Sequence, residues 1–285
     1  MIEAQPSKTA LRVALRRAAH QVHDAQPLVF DDPLAVKILG PEFSEEIKRT
    51  PKAEKRPFSA ALRAFMVCRA RYAEDVLAAG VRENHVRQYV VLGAGLDTFA
   101  YRNPFADVRV FEVDYPATQA WKRERLKAAG IAVPETTQFV AVDFETQSLR
   151  QELLRAGFDF AMPAAVAWLG VVPYLTAEAF AVTMRVLQRM ALGSNLVFDY
   201  SQPREVLPPV EQLMLDSISA RVALAGEPFQ LFFTPAQLVE EMQHYGWRVV
   251  EDLDGKGLNT RYLVGRNDGL ELRGSAGRLC HACIV

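Results

Sequence analysis

The chain has 285 residues, 50% of them hydrophobic, so it can bury a full core. With 33 basic and 34 acidic residues its net charge is −1, which excludes a one-signed field able to recruit nucleic acid or anionic lipid and leaves a small molecule as the expected partner. The 3 cysteines and 5 histidines lack the spacing of a disulfide framework or a four-ligand zinc site, and no metal is expected. No stretch approaches the roughly 18 apolar residues of a membrane helix or the pattern of a signal peptide, so the expected location is cytoplasmic.

Residues 1–80 read as a helical N-terminal region with the character of a lid. Ser7 to Leu39 carries Ala, Leu and Arg at helical spacing, broken at Pro27 and Pro33. Residues 41–57 are charged and punctuated by proline, as in a mobile or lid segment. A further helix over Ser59 to Ala79 places Leu62, Phe65, Met66, Val76 and Leu77 on one face, with Gly80 positioned to end it.

After Gly80 short apolar runs alternate with helical stretches, the signature of a parallel sheet. Strands are predicted near 88–92, 108–113, 138–142, 164–169, 194–199, 247–252 and 260–265. Helices are predicted near 115–129, 147–156, 176–191 and 234–245, the last with Thr234-Pro235 as cap and first turn. The last two strands are expected to pair as an antiparallel hairpin across Asp254-Gly-Lys-Gly257. Residues 200–233 form an insertion with a helical core through Val210 to Ala225, above the crevice where open α/β sheets bind ligands. The expected architecture is one domain: a doubly wound, seven-stranded, mostly parallel sheet over 81–268, with a flexible tail at 269–285. Cys280-His-Ala-Cys283 in that tail reads as a frayed end, because redox Cys-x-x-Cys pairs sit at helix starts inside a fold.

Three strand ends carry chemistry. Val90-Val-Leu-Gly93-Ala94-Gly95-Leu-Asp97-Thr98 reads as a buried strand that enters a tight turn and feeds a helix, with two glycines that let a ligand approach the backbone. The third glycine of a dinucleotide fingerprint would fall at 98, which is Thr, and this argues against NAD or FAD. The second strand ends in Glu112-Val-Asp114, where a carboxylate can accept from both hydroxyls of a ribose; Asp114 is the first candidate and Glu112 the second. Asp114 also fits a simple helix cap. The third strand ends in Asp143-Phe144, an acid and a ring suited to an adenine edge and face. On the helix before the first strand, Arg69 or Arg71 could clamp a carboxylate, and helical geometry allows one of the two to face inward. There is no phosphate-binding Lys-Ser/Thr loop, which argues against ATP and GTP.

In order along 65–200, Cys68-Arg-Ala-Arg71, Val91-Leu-Gly-Ala-Gly-Leu-Asp-Thr98 with Tyr101-Arg102, Phe111-Glu-Val-Asp-Tyr-Pro-Ala-Thr-Gln119 with Lys122, Val140-Ala-Val-Asp143 and Trp168-Leu-Gly-Val-Val-Pro-Tyr-Leu-Thr176 resemble the leucine carboxyl methyltransferase family. The likeness is to its bacterial natural-product O-methyltransferase branch, which includes the tetracenomycin-type polyketide carboxyl methyltransferases. The resemblance implies a Rossmann-like class I methyltransferase fold and S-adenosyl-L-methionine as cofactor. It further implies that Arg69 pairs with the methionine carboxylate, that Gly93, Ala94, Gly95 and Asp97 line the cofactor, that Asp114 holds the ribose, and that Asp143 and Phe144 border adenine. Many relatives carry Glu-Gly at the fourth strand end where this chain has Leu169-Gly170, so a glutamate contact there is not carried over and Leu169 is the residue expected beside the cofactor at that position.

Methyl transfer from a sulfonium needs alignment rather than a protein nucleophile, so no catalytic residue is assigned. A carboxylate acceptor is already ionised near neutral pH, whereas a phenol would call for a base, and no convincing base stands at a strand end. The expected reaction is methyl ester formation on a small secondary metabolite such as a polyketide, admitted between the N-terminal helices and the 200–233 insertion. Tyr174, Arg102 and Arg204 are the candidates to line the acceptor pocket. A protein or peptide C-terminus as acceptor, and a cofactor-binding module without catalysis, are the alternatives.

Overall fold

The computed structural model of the protein describes residues 7–49, 57–143 and 147–285. Helix α1 (Lys8–His23) begins where the Ser7 side chain accepts from the Ala10 amide. It is followed by α2 (Ala35–Leu39), α3 (Pro41–Arg49) and the long α4 (Pro57–Glu83). The segment expected to be a mobile lid therefore supplies α3, whose buried Ile47 joins the apolar cluster of α1 and α2. Gly80 does not end α4. It lies inside the helix, where a Cβ would stand 3.0 Å from Val86 Cγ2, and the left-handed residue beyond the helix is His85.

Strands β1 (Gln88–Leu92), β2 (Arg109–Asp114), β3 (Thr137–Ala141), β4 (Ala164–Trp168), β5 (Asn195–Ser201), β6 (Trp247–Leu253) and β7 (Gly277–Ile284) form one sheet in the order β3-β2-β1-β4-β5-β7-β6. The first five strands are mutually parallel, and β7 runs antiparallel to both of its neighbours. Connecting helices are α5 (Pro116–Ala128), α6 (Leu149–Arg155), α7 (Ala177–Leu187), α8 (Pro209–Leu224), α9 (Pro235–His244) and α10 (Gly255–Tyr262). The period of two divides the strands between two cores: Val90, Leu92 and Val166 pack against Leu153, Met184 and Met242, while Tyr89, Val91 and Ala165 pack against Val67, Leu77 and Leu258. Strands buried on both faces are apolar throughout, which is why β1 and β4 were legible as short runs.

Two expectations fail at the C-terminal end. Residues 260–265 are not a strand, and 269–285 is not a flexible tail. Asp254 caps α10 by accepting from the Gly257 amide at 2.8 Å, so the Asp-Gly-Lys-Gly link starts a helix that extends through Tyr262. The seventh strand is instead 277–284, which enters between β5 and β6 and pairs with both, burying Leu279, Cys280 and Ala282. Cys280 is thus a core residue rather than part of a frayed Cys-x-x-Cys, and burial pushes its thiol well up. The antiparallel partnership of the last two strands holds, but it is reached through a helix and a loop instead of a hairpin. The turn after β1 also differs: it feeds only a short 3-10 turn, Phe99–Tyr101, before β2. Among the described residues no helix is long and apolar enough to cross a membrane.

Candidate active site

The strand order reverses between β1, which leads to β2, and β4, which leads to β5 on the other side. A crevice at the C-terminal ends of these strands follows from that reversal, and of the sequence-selected residues Arg69, the Gly93–Gly95 turn, Asp114 and Tyr174 meet there. Gly93 and Gly95 adopt φ of 68° and 48°, conformations that side chains disfavour. A Cβ on Gly93 would lie 2.4 Å from Val171 Cγ2, and one on Gly95 would lie 3.0 Å from the Ala10 Cβ of α1. The turn is fastened from beneath, since the amides of Gly93 and Ala94 both donate to the Val113 carbonyl of β2, at 2.9 and 3.1 Å.

Asp114 stands at the end of β2 beside this turn. One carboxylate oxygen accepts from the Gly95 amide at 2.6 Å and the other from the Tyr115 amide at 2.7 Å. Burial pushes its carboxyl above the usual range, and the two amides offset part of that rise. Each oxygen retains a lone pair, so the carboxylate can take a diol without giving up the amides. Glu112, the alternative candidate, is spoken for: it is buried with Lys122 Nζ at 2.8 Å and the Tyr101 hydroxyl at 2.7 Å. The period of two puts it on the same side as Asp114, but one residue pair further from the strand end, where a lysine reaches it before a ligand could.

Arg69 faces inward and Arg71 outward, as helical spacing required. Arg71 pairs at the surface with Asp75, whereas Arg69 is buried and donates from Nη1 to Asp199 of β5 at 2.7 Å. The second oxygen of Asp199 accepts from the Gly170 amide at 2.6 Å. Gly170 has φ of 72°, and a Cβ there would stand 2.7 Å from Arg69 Nη2, so only glycine lets the guanidinium lie over this turn. Among the described residues Nη2 makes no hydrogen bond, which leaves Arg69 with donors for a ligand carboxylate. Leu169 packs with the core on the α4 side of the sheet. Asp199 was not selected from the sequence; a single acid inside the apolar run Leu196-Val-Phe-Asp-Tyr200 was the available signal.

Asp97 does not face the crevice as a free ligand. It accepts from Arg17 of α1 at 2.6 Å and from the Phe99 amide at 2.8 Å. Burial opposes its ionisation, but Arg17, Lys122 and Arg102 outweigh that and hold the carboxyl at about 2. Arg17 also pairs with buried Asp32 at 2.7 Å, and Asp32 accepts from the Thr98 hydroxyl at 2.8 Å. This buried network, absent from the sequence reading, ties α1 to the glycine turn. Arg102 belongs to it too, pairing with Glu74 and lying 3.4 Å from Asp32. Arg204, just past the end of β5, is exposed and paired with Asp216 at 2.9 Å. Asp143 follows β3 by two residues, and its carbonyl and amide are bonded to Gln147. Phe144 lies outside the described residues.

Tyr174 closes a 3-10 turn after β4, with its ring centroid 5.1 Å from that of Phe229. Burial pushes its phenol up to about 12 despite Arg69 nearby, so it is protonated at neutral pH. The described residues fit the adenosyl amino acid expected from the sequence: a glycine turn that a Cβ would fill, a carboxylate beside it, and a buried arginine with open donors.

The strand order, the glycine turn after β1 and the acid after β2 define a Rossmann-like class I methyltransferase. A DUF574 family protein of Streptomyces avermitilis MA-4680 shares the fold, with a TM-score of 0.58 and 17% identity over 95% of this chain and 97% of that one. A protein of Thermobifida fusca YX described as a putative methyltransferase does so with a TM-score of 0.54 and 19% identity, over 90% and 96%. The chain belongs to the leucine carboxyl methyltransferase family, which matches residues 10–188. A Bacillus subtilis (strain 168) relative named "Putative S-adenosyl-L-methionine-dependent methyltransferase YktD" is 30% identical over 95% of this chain and 95% of its own length. A Mycobacterium sp. (strain MCS) relative, also named as a putative S-adenosyl-L-methionine-dependent methyltransferase, is 30% identical over 84% of this chain and 90% of its own.

Proposed function

We propose that this S-adenosyl-L-methionine-dependent methyltransferase acts on the carboxylate of a small secondary metabolite, such as a polyketide, and forms a methyl ester. When bound, the cofactor supplies an electrophilic methyl group on a positively charged sulfur, a leaving group that needs no further activation. Asp114 is assigned to the ribose hydroxyls, Arg69 to the amino-acid carboxylate, and Gly93 and Gly95 to the backbone surface on which the cofactor rests. Asp143 and Phe144 are assigned to the adenine. Asp199 holds Arg69 in place and fixes the β4 turn through Gly170. The remaining task of the protein is to align the acceptor oxygen and exclude water, an effect that can lower the barrier by about 7 to 11 kcal/mol.

The observation that carries the acceptor assignment is the placement of the titratable groups. His20 is buried against Asp24, His23 contacts the Ile47 carbonyl, and His281 contacts Asn195. His85 and His244 are exposed, outside the crevice. Tyr174, beside Arg69, is held protonated. A site without a histidine base suits an acceptor that arrives already ionised. The test is to incubate the protein with methyl-labelled cofactor and matched sets of carboxylic acids, phenols and peptides with free C-termini. Base-labile label on the small acids supports the ester; base-stable label on phenols, or label on peptides alone, refutes it.

A further inference from the structure

A buried polar atom without a partner calls for an explanation, and one lies beside the turn that follows β4. Among the described residues, Glu227 Oε2 is buried without a hydrogen bond, and buried Thr9 Oγ1 has only the Tyr174 phenol beside it. Thr9 lies in the first turn of α1 and Glu227 lies in the loop that leaves α8. The two elements are joined by the Ser7 hydroxyl, which donates to Glu227 Oε1 at 2.9 Å. The loop is also fastened to the turn after β4: the Gln230 amide donates to the Pro173 carbonyl at 2.7 Å, and Gln230 Nε2 to the Tyr174 carbonyl at 2.9 Å. Phe229 then packs on Tyr174. Thr9, hydrogen-bonded to the Tyr174 phenol, and Glu227, in the loop fastened to the same turn, thus lie beside the crevice.

We propose that Glu227, with Thr9, recognises a hydrogen-bond donor on the methyl acceptor, a hydroxyl or ammonium group carried apart from the carboxylate that is methylated. This rests on the methyltransferase reading above and narrows its substrate class. An ionised carboxylate oxygen accepts only, so the group it lacks must donate. The neighbouring rings of Tyr174 and Phe229 offer an apolar surface to the body of such an acceptor. A wholly apolar acid would leave the Glu227 oxygen unpartnered, and an acid with a second carboxylate at this end would be repelled by Glu227.

The test compares 3-phenylpropanoate, 3-(4-hydroxyphenyl)propanoate and 3-[4-(aminomethyl)phenyl]propanoate as ligands of the protein saturated with S-adenosylhomocysteine, by calorimetry. The hydroxyl- or ammonium-bearing probe is expected to bind at least about tenfold more tightly than 3-phenylpropanoate. Glu227→Gln, which keeps an acceptor for Ser7, is expected to abolish that preference while leaving S-adenosylhomocysteine affinity within about twofold of wild type. Thr9→Val is expected to reduce the preference without touching the Ser7 contact. Equal binding of the probes, binding of none, or a matching loss of cofactor affinity in Glu227→Gln overturns the assignment. Cofactor affinity in the wild type is measured in the same experiment, so a failure of the methyltransferase reading shows as no S-adenosylhomocysteine binding at all.

Discussion

At the scale of single residues, the crevice rests on positions where a side chain is either forbidden or already committed. Gly93→Ala meets two penalties, a left-handed backbone and a Val171 methyl group 2.4 Å from the new Cβ. Gly130 also has positive φ, 59°, but nothing lies within 4 Å of its Cβ position. Gly93→Ala is therefore expected to destabilise the protein by about 1–3 kcal/mol more than Gly130→Ala, as read from urea unfolding midpoints. Asp114→Ala removes a charged hydrogen-bonding group and is expected to weaken S-adenosylhomocysteine binding by about 10- to 100-fold in calorimetry. An unchanged affinity would reduce Asp114 to a cap for Gly95 and Tyr115. Glycines at a strand end and an acid at the end of the next strand could be found in the sequence because their positions are fixed by local geometry. Asp199 could not, since its partner Arg69 is 130 residues away and only the fold brings the two together.

Between elements, α1 and β7 are attached by interactions that leave little trace in local sequence. Arg17 spans Asp97 at the glycine turn and Asp32 after α1, all within a buried network. Arg17→Met strands those carboxylates, and removing one member of a buried pair costs about 3–5 kcal/mol. The expected outcome is a loss of that order in urea unfolding, with weakened cofactor binding because α1 packs on Gly95 through Ala10. A change within about 0.5 kcal/mol would show that the network contributes no net stability. Strand β7 hydrogen-bonds to β5 on one side and β6 on the other. Truncation after residue 268 is accordingly expected to abolish cooperative thermal unfolding, whereas a dispensable tail would leave the transition intact. Residues 269–276 mislead because Gly269, Gly274 and Ser275 have the composition of a linker. Thr260 to Gly265 mislead in the opposite direction, for a β-prone run becomes the end of α10 and the turn after it once Asp254 caps the helix.

For the molecule as a whole, stability depends on pH through groups whose burial depends on the complete sheet. Burial in the region of α4 and β7 lowers His281 from the ordinary 6.5 to about 4, although Glu251 offsets part of the effect. A lowered folded value means that the stabilisation is present above pH 6.5 and is lost as the pH falls towards 4. Asp97, lowered from 3.8 to about 2, adds a loss of the same sign in the window below. Glu74, Glu112 and Asp114 are raised by burial and act in the opposite sense. Comparison with His281→Asn isolates the histidine: between pH 7 and pH 4.5 the wild type is expected to lose about 2 kcal/mol more unfolding free energy than the variant. Parallel pH dependences would remove His281 from that account.

The sequence by itself determined the parallel α/β core, the glycine turn, Asp114 and the family to which the chain belongs, because each depends on local periodicity, backbone freedom or ordered motifs. The tertiary structure decided that the last strand lies between β5 and β6, that Glu112 and Asp97 are held by Lys122 and Arg17, and that Asp199 supports Arg69. Those outcomes depend on which distant charge or strand edge arrives first at a shared site. Such competition is settled by packing, and no spacing along the chain records it.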